Sequence, residues 1–172
     1  TESPGPSSRS LGSPPTFARN LLIPRLRTRT IAVAGKFWTI GRWVPIGVDG
    51  SKFDAPRTIA NGALGAGGRC KSGPQMNLLL LVHLGVMLPW GWAIGKASDS
   101  ERTLLRSVMD QFPTGTLLVA DAGFVGFDLL STLRSRGVSF LIRVGGDARL
   151  LRNLGYYRRE GKHTVYLWPN AM

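Results

Sequence analysis

Two aspartates stand at the ends of apolar runs in this chain. Asp49 closes Val44-Pro-Ile-Gly-Val-Asp49, and Asp121 closes Leu117-Leu-Val-Ala-Asp121. Each is followed within two residues by a glycine, Gly50 and Gly123. A carboxylate at the end of a buried strand is costly unless a cation or hydrogen bonds compensate it. Two such strand ends side by side would make a metal site. Hard oxygen ligands with little nitrogen or sulfur suit Mg²⁺ or Mn²⁺. A pair of such ions about 4 Å apart can activate water or a 3′-hydroxyl and stabilise the leaving oxygen in phosphodiester chemistry. This reading requires the two carboxylates to lie on the order of 4–8 Å apart. Gly50 and Gly123, lacking side chains, would let a phosphate backbone come close.

The charge balance favours such a partner. Lys plus Arg number 22 against 10 Asp plus Glu, a formal net charge of +12. That excess points to a polyanion, nucleic acid first and an anionic membrane surface second. Arg57, Arg69, Lys71 and Arg143 are the candidate DNA contacts. Hydrophobic residues make up 43% of the 172, enough for one domain with a real core. The single cysteine, Cys70, forms no disulfide framework, which suits a reducing, cytoplasmic setting on the nucleoid. The opening residues show no signal-peptide pattern. Met76 to Ile94 is long enough to raise a membrane span, but it contains Asn77, His83 and a turn at Leu88-Pro89. Two buried strands account for it better.

The elements that must carry the aspartates follow from periodicity. Residues 1–16 are rich in Ser, Pro and Gly and cannot bury enough apolar surface to order themselves. Pro24 interrupts any early helix, so a short basic helix is expected from Arg25 to Ala34. A disordered arm over 1–24 and a folded domain over 25–172 follow. Val44, Ile46 and Val48 alternate onto one strand face, with Asp49 turned the other way. Ile59 to Gly73 reads as a Gly-rich loop, and Gln75 to Val86 with Trp90 to Ala97 as a strand pair. Ser98 and Glu101 fit a capping box, with Asp99 as a further capping residue, ahead of a helix that buries Leu104, Leu105, Val108, Met109 and Phe112. Thr116 to Ala120 is a continuous apolar run, the pattern of a strand buried on both sides. A helix over Phe124 to Arg136 turns Phe127, Leu130 and Leu133 inward, carries Asp128 in its first turn, and ends at Gly137. Val138 to Val144 is a further strand, and Tyr156 to Trp168 a hairpin around Glu160-Gly161-Lys162. An antiparallel meander followed by βαβ gives a mixed α/β sheet with flanking helices, its first strand central.

At this point the residues resemble a family. Trp43-Val-Pro-Ile-Gly-Val-Asp-Gly-Ser-Lys-Phe53, Lys71-Ser-Gly-Pro-Gln75, Leu88-Pro-Trp90 and Val119-Ala-Asp-Ala-Gly-Phe124 resemble the catalytic domain of bacterial DDE transposases of the insertion-sequence-four type. The likeness runs from about Arg25 to Pro169. Its most specific part is Asp-Ala-Gly-Phe followed by a helix and the Phe140-Leu-Ile-Arg-Val144 strand; Asp-Gly alone is also the commonest hairpin dipeptide. The resemblance implies a ribonuclease-H-like fold, a divalent metal, DNA transposition, and Asp49 and Asp121 as the first two members of a catalytic acidic triad. A homodimer on DNA is a possible assembly. The family's third carboxylate is a glutamate on a later helix, spaced from a Tyr, an Arg and a Lys. Starting from Tyr156, the glutamate position is His163; from Tyr157, the arginine position is Glu160; from Tyr166, it is Pro169. No window fits, so the resemblance implies a partial domain, truncated before the C-terminal catalytic helix and slow in catalysis. Glu160 lies in a polar hairpin turn, where a carboxylate is ordinarily solvated.

Bland readings stand beside these. Asp54 suits a turn before Ala55-Pro56, and His83 a satisfied sheet residue. Trp38, Trp43, Trp90, Trp92 and Trp168 suit packing. Two other functions share the features: another ribonuclease-H-like nuclease, and a nonenzymatic basic DNA-binding protein. The charge alone predicts nonspecific duplex DNA binding whose log affinity falls against log salt by about 0.9 per phosphate neutralised. A fluorescence-anisotropy titration at several salt concentrations measures that slope, and a flat response would remove DNA as the partner.

Overall fold

A computed structural model describes residues 14–65, 73–144 and 157–166. Its centre is a five-stranded mixed sheet. The strands are β1 (Val44–Asp54), β2 (Gln75–His83), β3 (Leu88–Lys96), β4 (Thr116–Ala120) and β5 (Ser139–Ile142). Their spatial order is β3-β2-β1-β4-β5. The first three form an antiparallel meander, and β1–β4 and β4–β5 are parallel. This is the mixed α/β sheet with flanking helices that the sequence led us to expect, with β1 central.

Alternation explains why these segments are strands. In β1, Val44, Ile46 and Val48 are buried while Asp49 is exposed. In β2, Gln75, Asn77, Leu79, Leu81 and His83 are buried and the residues between them half-buried. The buried face packs against α3 (Glu101–Arg106) and α4 (Phe127–Ser135), where Leu104, Leu105, Leu129 and Leu133 join Ile46, Leu79, Leu81, Leu118 and Phe124 in one core. Parallel pairing of β4 with β5 requires a crossover, and α4 supplies it. Gly137, at φ +69°, ends α4 in the left-handed conformation that glycine tolerates best.

Several local expectations change. β4 is not buried on both sides: Leu117 and Val119 are only half-buried. Helices cover one face of the sheet, so a continuous apolar run here marks one packed face and one open one. In α4 the inward residues are Leu129, Leu130 and Leu133, while Phe127 is 62% exposed. The chain after Asp121 first makes a 3₁₀ turn over Ala122–Phe124, which starts α4 later and rotates its apolar face. Helix α3 is capped by Ser100, whose Oγ accepts the Thr103 N–H (3.1 Å), and not by Ser98 or Asp99. Asp99 instead accepts the Lys96 N–H through Oδ2 (2.7 Å). Asp54 ends β1 and accepts a hydrogen bond from Gln75 Nε2.

The first helix, α1, runs Pro14–Ala34 and passes through Pro24, where the sequence suggested a start near Arg25. A proline inside a helix loses one backbone hydrogen bond. Tertiary packing offsets it: α1 lies against β3, with Ile23, Thr30 and Ala34 buried. Arg27 fastens the contact, donating to Trp90 O (3.1 Å) and Gln111 Oε1 (2.7 Å) with its guanidinium 5.1 Å from the Trp90 ring centroid. His83 is a fully buried sheet residue, stacked on Trp38 at 4.8 Å and sharing a hydrogen bond with Trp38 O (3.0 Å). The short helix α2 (Ile59–Gly62) interrupts the Gly-rich loop. The expected hairpin is present as β6 (Tyr157–Glu160) and β7 (His163–Tyr166), turning at Gly161. No described helix is long and apolar enough to cross a membrane.

Leu118 is fully buried where β4 meets β1 and β5. Leu118→Ala is expected to cost about 2–5 kcal/mol in a urea unfolding titration, the range for deleting a packed core leucine.

Candidate active site

The β1–β4 register builds the site. These strands pair in parallel from Val44↔Thr116 to Gly47↔Val119. Each aspartate lies two positions beyond the last pair. Asp121 follows the end of β4, while Asp49, expected at a strand end, lies inside β1 opposite Leu80 of β2, because β1 continues its pairing with β2 to Asp54. Neighbouring strands are about 4.8 Å apart, which sets the scale of the gap between them. Both side chains are exposed, and both line one cavity of about 560 Å³. Gly47, Leu80, Val82, Leu84, Met87, Val119 and Arg143 are among its other walls. The cavity lies on the open face of the sheet. Leu84 covers Gly47 so closely that a methyl group there would sit 2.7 Å from Leu84 Cδ2.

Each carboxylate bonds to its own local backbone, Asp49 within β1 and Asp121 in the turn after β4. Asp49 Oδ1 accepts the Gly50 N–H (2.9 Å). Asp121 Oδ1 accepts the Gly123 N–H (2.9 Å) and so caps the 3₁₀ turn after β4. These bonds use one oxygen of each carboxylate and leave the other available to a ligand. Arg143 follows β5, its backbone N–H donating to Ala120 O (3.0 Å), and its exposed side chain borders the same cavity.

The other basic candidates are less concentrated. Arg57 is exposed beyond the end of β1, beside Gly73. Arg69, Lys71 and Cys70 lie outside the described residues, as does the side chain of Glu160. Among the described residues, no group of three or more His, Cys, Asp or Glu side chains is placed to hold a metal ion. The donor set present is therefore two carboxylates. That fits Mg²⁺ or Mn²⁺, which take one or two carboxylates and keep several waters.

One residue was assigned a different role from sequence. Glu101, half-buried in the first turn of α3, reaches the glycines that follow both aspartates. A methyl group on Gly50 would overlap its side chain, 2.5 Å from Cγ and Cδ. One on Gly123 would lie 3.1 Å from Asp121 Oδ1 and 3.3 Å from Glu101 Oε2. The space at Gly50, expected to admit a phosphate backbone, is taken by this side chain. The signal in the sequence was the pair of glycines, whose partner only the fold could name.

The chain matches the family model described as "Transposase DDE domain" over residues 45–167. Among solved structures it is similar to the Mos1 transposase paired-end complex with left transposon end, at 9% identity and TM-score 0.41, covering 82% of this chain and 46% of that one. It is also similar to the piggyBac transposase synaptic complex with hairpin DNA, at 14% identity and TM-score 0.43, covering 83% of this chain and 32% of that one. The chain thus spans less than half the length of either solved transposase. No curated protein sequence matches it. The matched span runs from β1 past β7 and contains both aspartates and Arg143, and the chain belongs to the transposase DDE domain family.

Proposed function

We propose that this chain is catalytic-domain sequence from a bacterial DDE transposase of the insertion-sequence-four type, acting on DNA in transposition. The observation that carries the reading is the parallel register that brings Asp49 of β1 and Asp121 after β4 to one sheet face, over one cavity that Arg143 also borders. Asp49 and Asp121 would hold Mg²⁺ or Mn²⁺. The bound ion would supply activation of a water or 3′-hydroxyl and stabilisation of the leaving oxygen. The Gly50 and Gly123 backbone N–H donors orient the two carboxylates. Arg143 is placed to pair with a phosphate approaching the carboxylates, where a guanidinium can bond two oxygens at once. Arg57, with Arg69 and Lys71, would add positive charge along the DNA path. The half-buried apolar residues on this sheet face exclude bulk water from one side of the cavity.

Two carboxylates leave an ion weakly held compared with three, so DNA cleavage by these 172 residues is expected to be slow. Mn²⁺ binding, followed by loss of the free-ion EPR signal, should disappear in Asp49→Asn and Asp121→Asn. Because both side chains are exposed and Asn Oδ1 can still accept the glycine N–H, urea unfolding should show each variant within about 1 kcal/mol of the parent. A nonenzymatic DNA-binding protein would instead keep its metal response unchanged by both substitutions. Metal-dependent nicking of DNA carrying the element's terminal sequences tests the rate. Rapid nicking abolished by either substitution would show that the two-carboxylate site is sufficient or is completed by another group.

A further inference from the structure

We infer that Glu101 is a positioning residue for the Asp49–Asp121 pair, packing between Gly50 of β1 and the turn after β4 and adding negative charge beside the ion. The inference rests on the metal-site reading above and deepens it.

The geometry singles out Glu101. It occupies the first position of α3, not the third. A glutamate must stand at the third to return a hydrogen bond to the capping residue. Here that position is Thr103, bonded to Ser100. Glu101 therefore has no part in the cap. Instead its side chain crosses to β1 and to the turn after β4. It lies against Gly50, the neighbour of Asp49, and its Oε2 shares with Asp121 Oδ1 the space beside Gly123. A side chain at either glycine would displace it.

The start of α3 is anchored from two strands. Asn77 of β2, 1% exposed, donates through Nδ2 to Asp99 O (2.8 Å), and Asp99 bonds back to Lys96 of β3. Glu101 thus projects from a backbone with little freedom. Its Oε2 and Asp121 Oδ1 both border the space beside Gly123, so two carboxylates face one small region. The ordinary role of a first-turn glutamate is to complement the helix dipole, which needs no contact with either glycine. The placement beside Gly50 and Gly123 distinguishes the two roles, because only a positioning residue couples the β1 segment and the turn that carry the aspartates. Glu101 stays outside the ligand set, consistent with the absence of a three-carboxylate cluster among the described residues.

The test is Mn²⁺ titration of the full chain, followed by EPR, for the parent, Glu101→Gln, Glu101→Asp and Asp128→Asn. Glu101→Gln keeps the shape and removes the charge. It is expected to weaken Mn²⁺ binding about three- to tenfold, the scale of losing one nearby charge in a partly solvated site, with an unchanged unfolding midpoint. Glu101→Asp, which keeps the charge, should recover part of that affinity. Asp128→Asn removes the same charge from the first turn of α4 and should bind like the parent. A pure helix-dipole role would lower the unfolding midpoint of Glu101→Gln and leave Mn²⁺ affinity unchanged, which would overturn the inference while sparing the metal site. A parent chain that binds no Mn²⁺ would overturn both.

Discussion

The parallel pairing of β1 with β4 is the constraint on which the site depends. It joins segments far apart in sequence, so its closure entropy must be offset by burial. The offset comes from Ile46, Val48 and Leu118, which enter the same core as α3 and α4. Once Gly47 lies opposite Val119, the positions of Asp49 and Asp121 are no longer independent. A shift of one residue in either strand would turn one aspartate into the core, where an ionised carboxylate without a partner is strongly disfavoured. The apolar pattern that forms the core therefore also sets the geometry of the carboxylates.

The two faces of the sheet divide the work. One is closed by α3 and α4 and supplies the core. The other presents Leu80, Val82 and Val119 beside Asp49, Asp121 and Arg143. The two aspartates thus stand in a strongly basic chain, whose net charge favours a polyanion. Not every basic residue serves that surface. Arg27 is spent on Trp90 and Gln111, where it ties α1 to β3, and Arg136 pairs with Asp110. The whole-chain charge overstates the number of side chains free to meet a phosphate.

Sequence periodicity was informative wherever one face of an element is buried. The alternation in β1 placed Asp49 opposite Val48, and the apolar run before Asp121 marked β4 with its observed ends, Thr116 and Ala120. The meander, the crossover helix and the final hairpin were legible for the same reason. Where a contact with a distant element decides the outcome, local pattern misled. Pro24 read as a helix boundary because the packing of α1 on β3 is not written in its neighbours. Phe127 read as an inward residue because the 3₁₀ turn that rotates α4 depends on Asp121 capping it.

The sequence by itself determined that two carboxylates follow apolar runs, that the chain is strongly basic, and that its elements follow the order of a mixed α/β sheet. These are local or compositional properties, carried by residue type and spacing. Only the tertiary structure decided which strands pair, in what register, and which sheet face stays open. It also decided what fills the space beside Gly50 and Gly123. Glu101 illustrates the difference: along the chain it is one acidic residue at a helix start, and in space it lies beside the glycines that follow both aspartates. That relation depends on β1, the turn after β4 and the start of α3 meeting, and long-range packing, not the spacing of side chains along the backbone, brings them there.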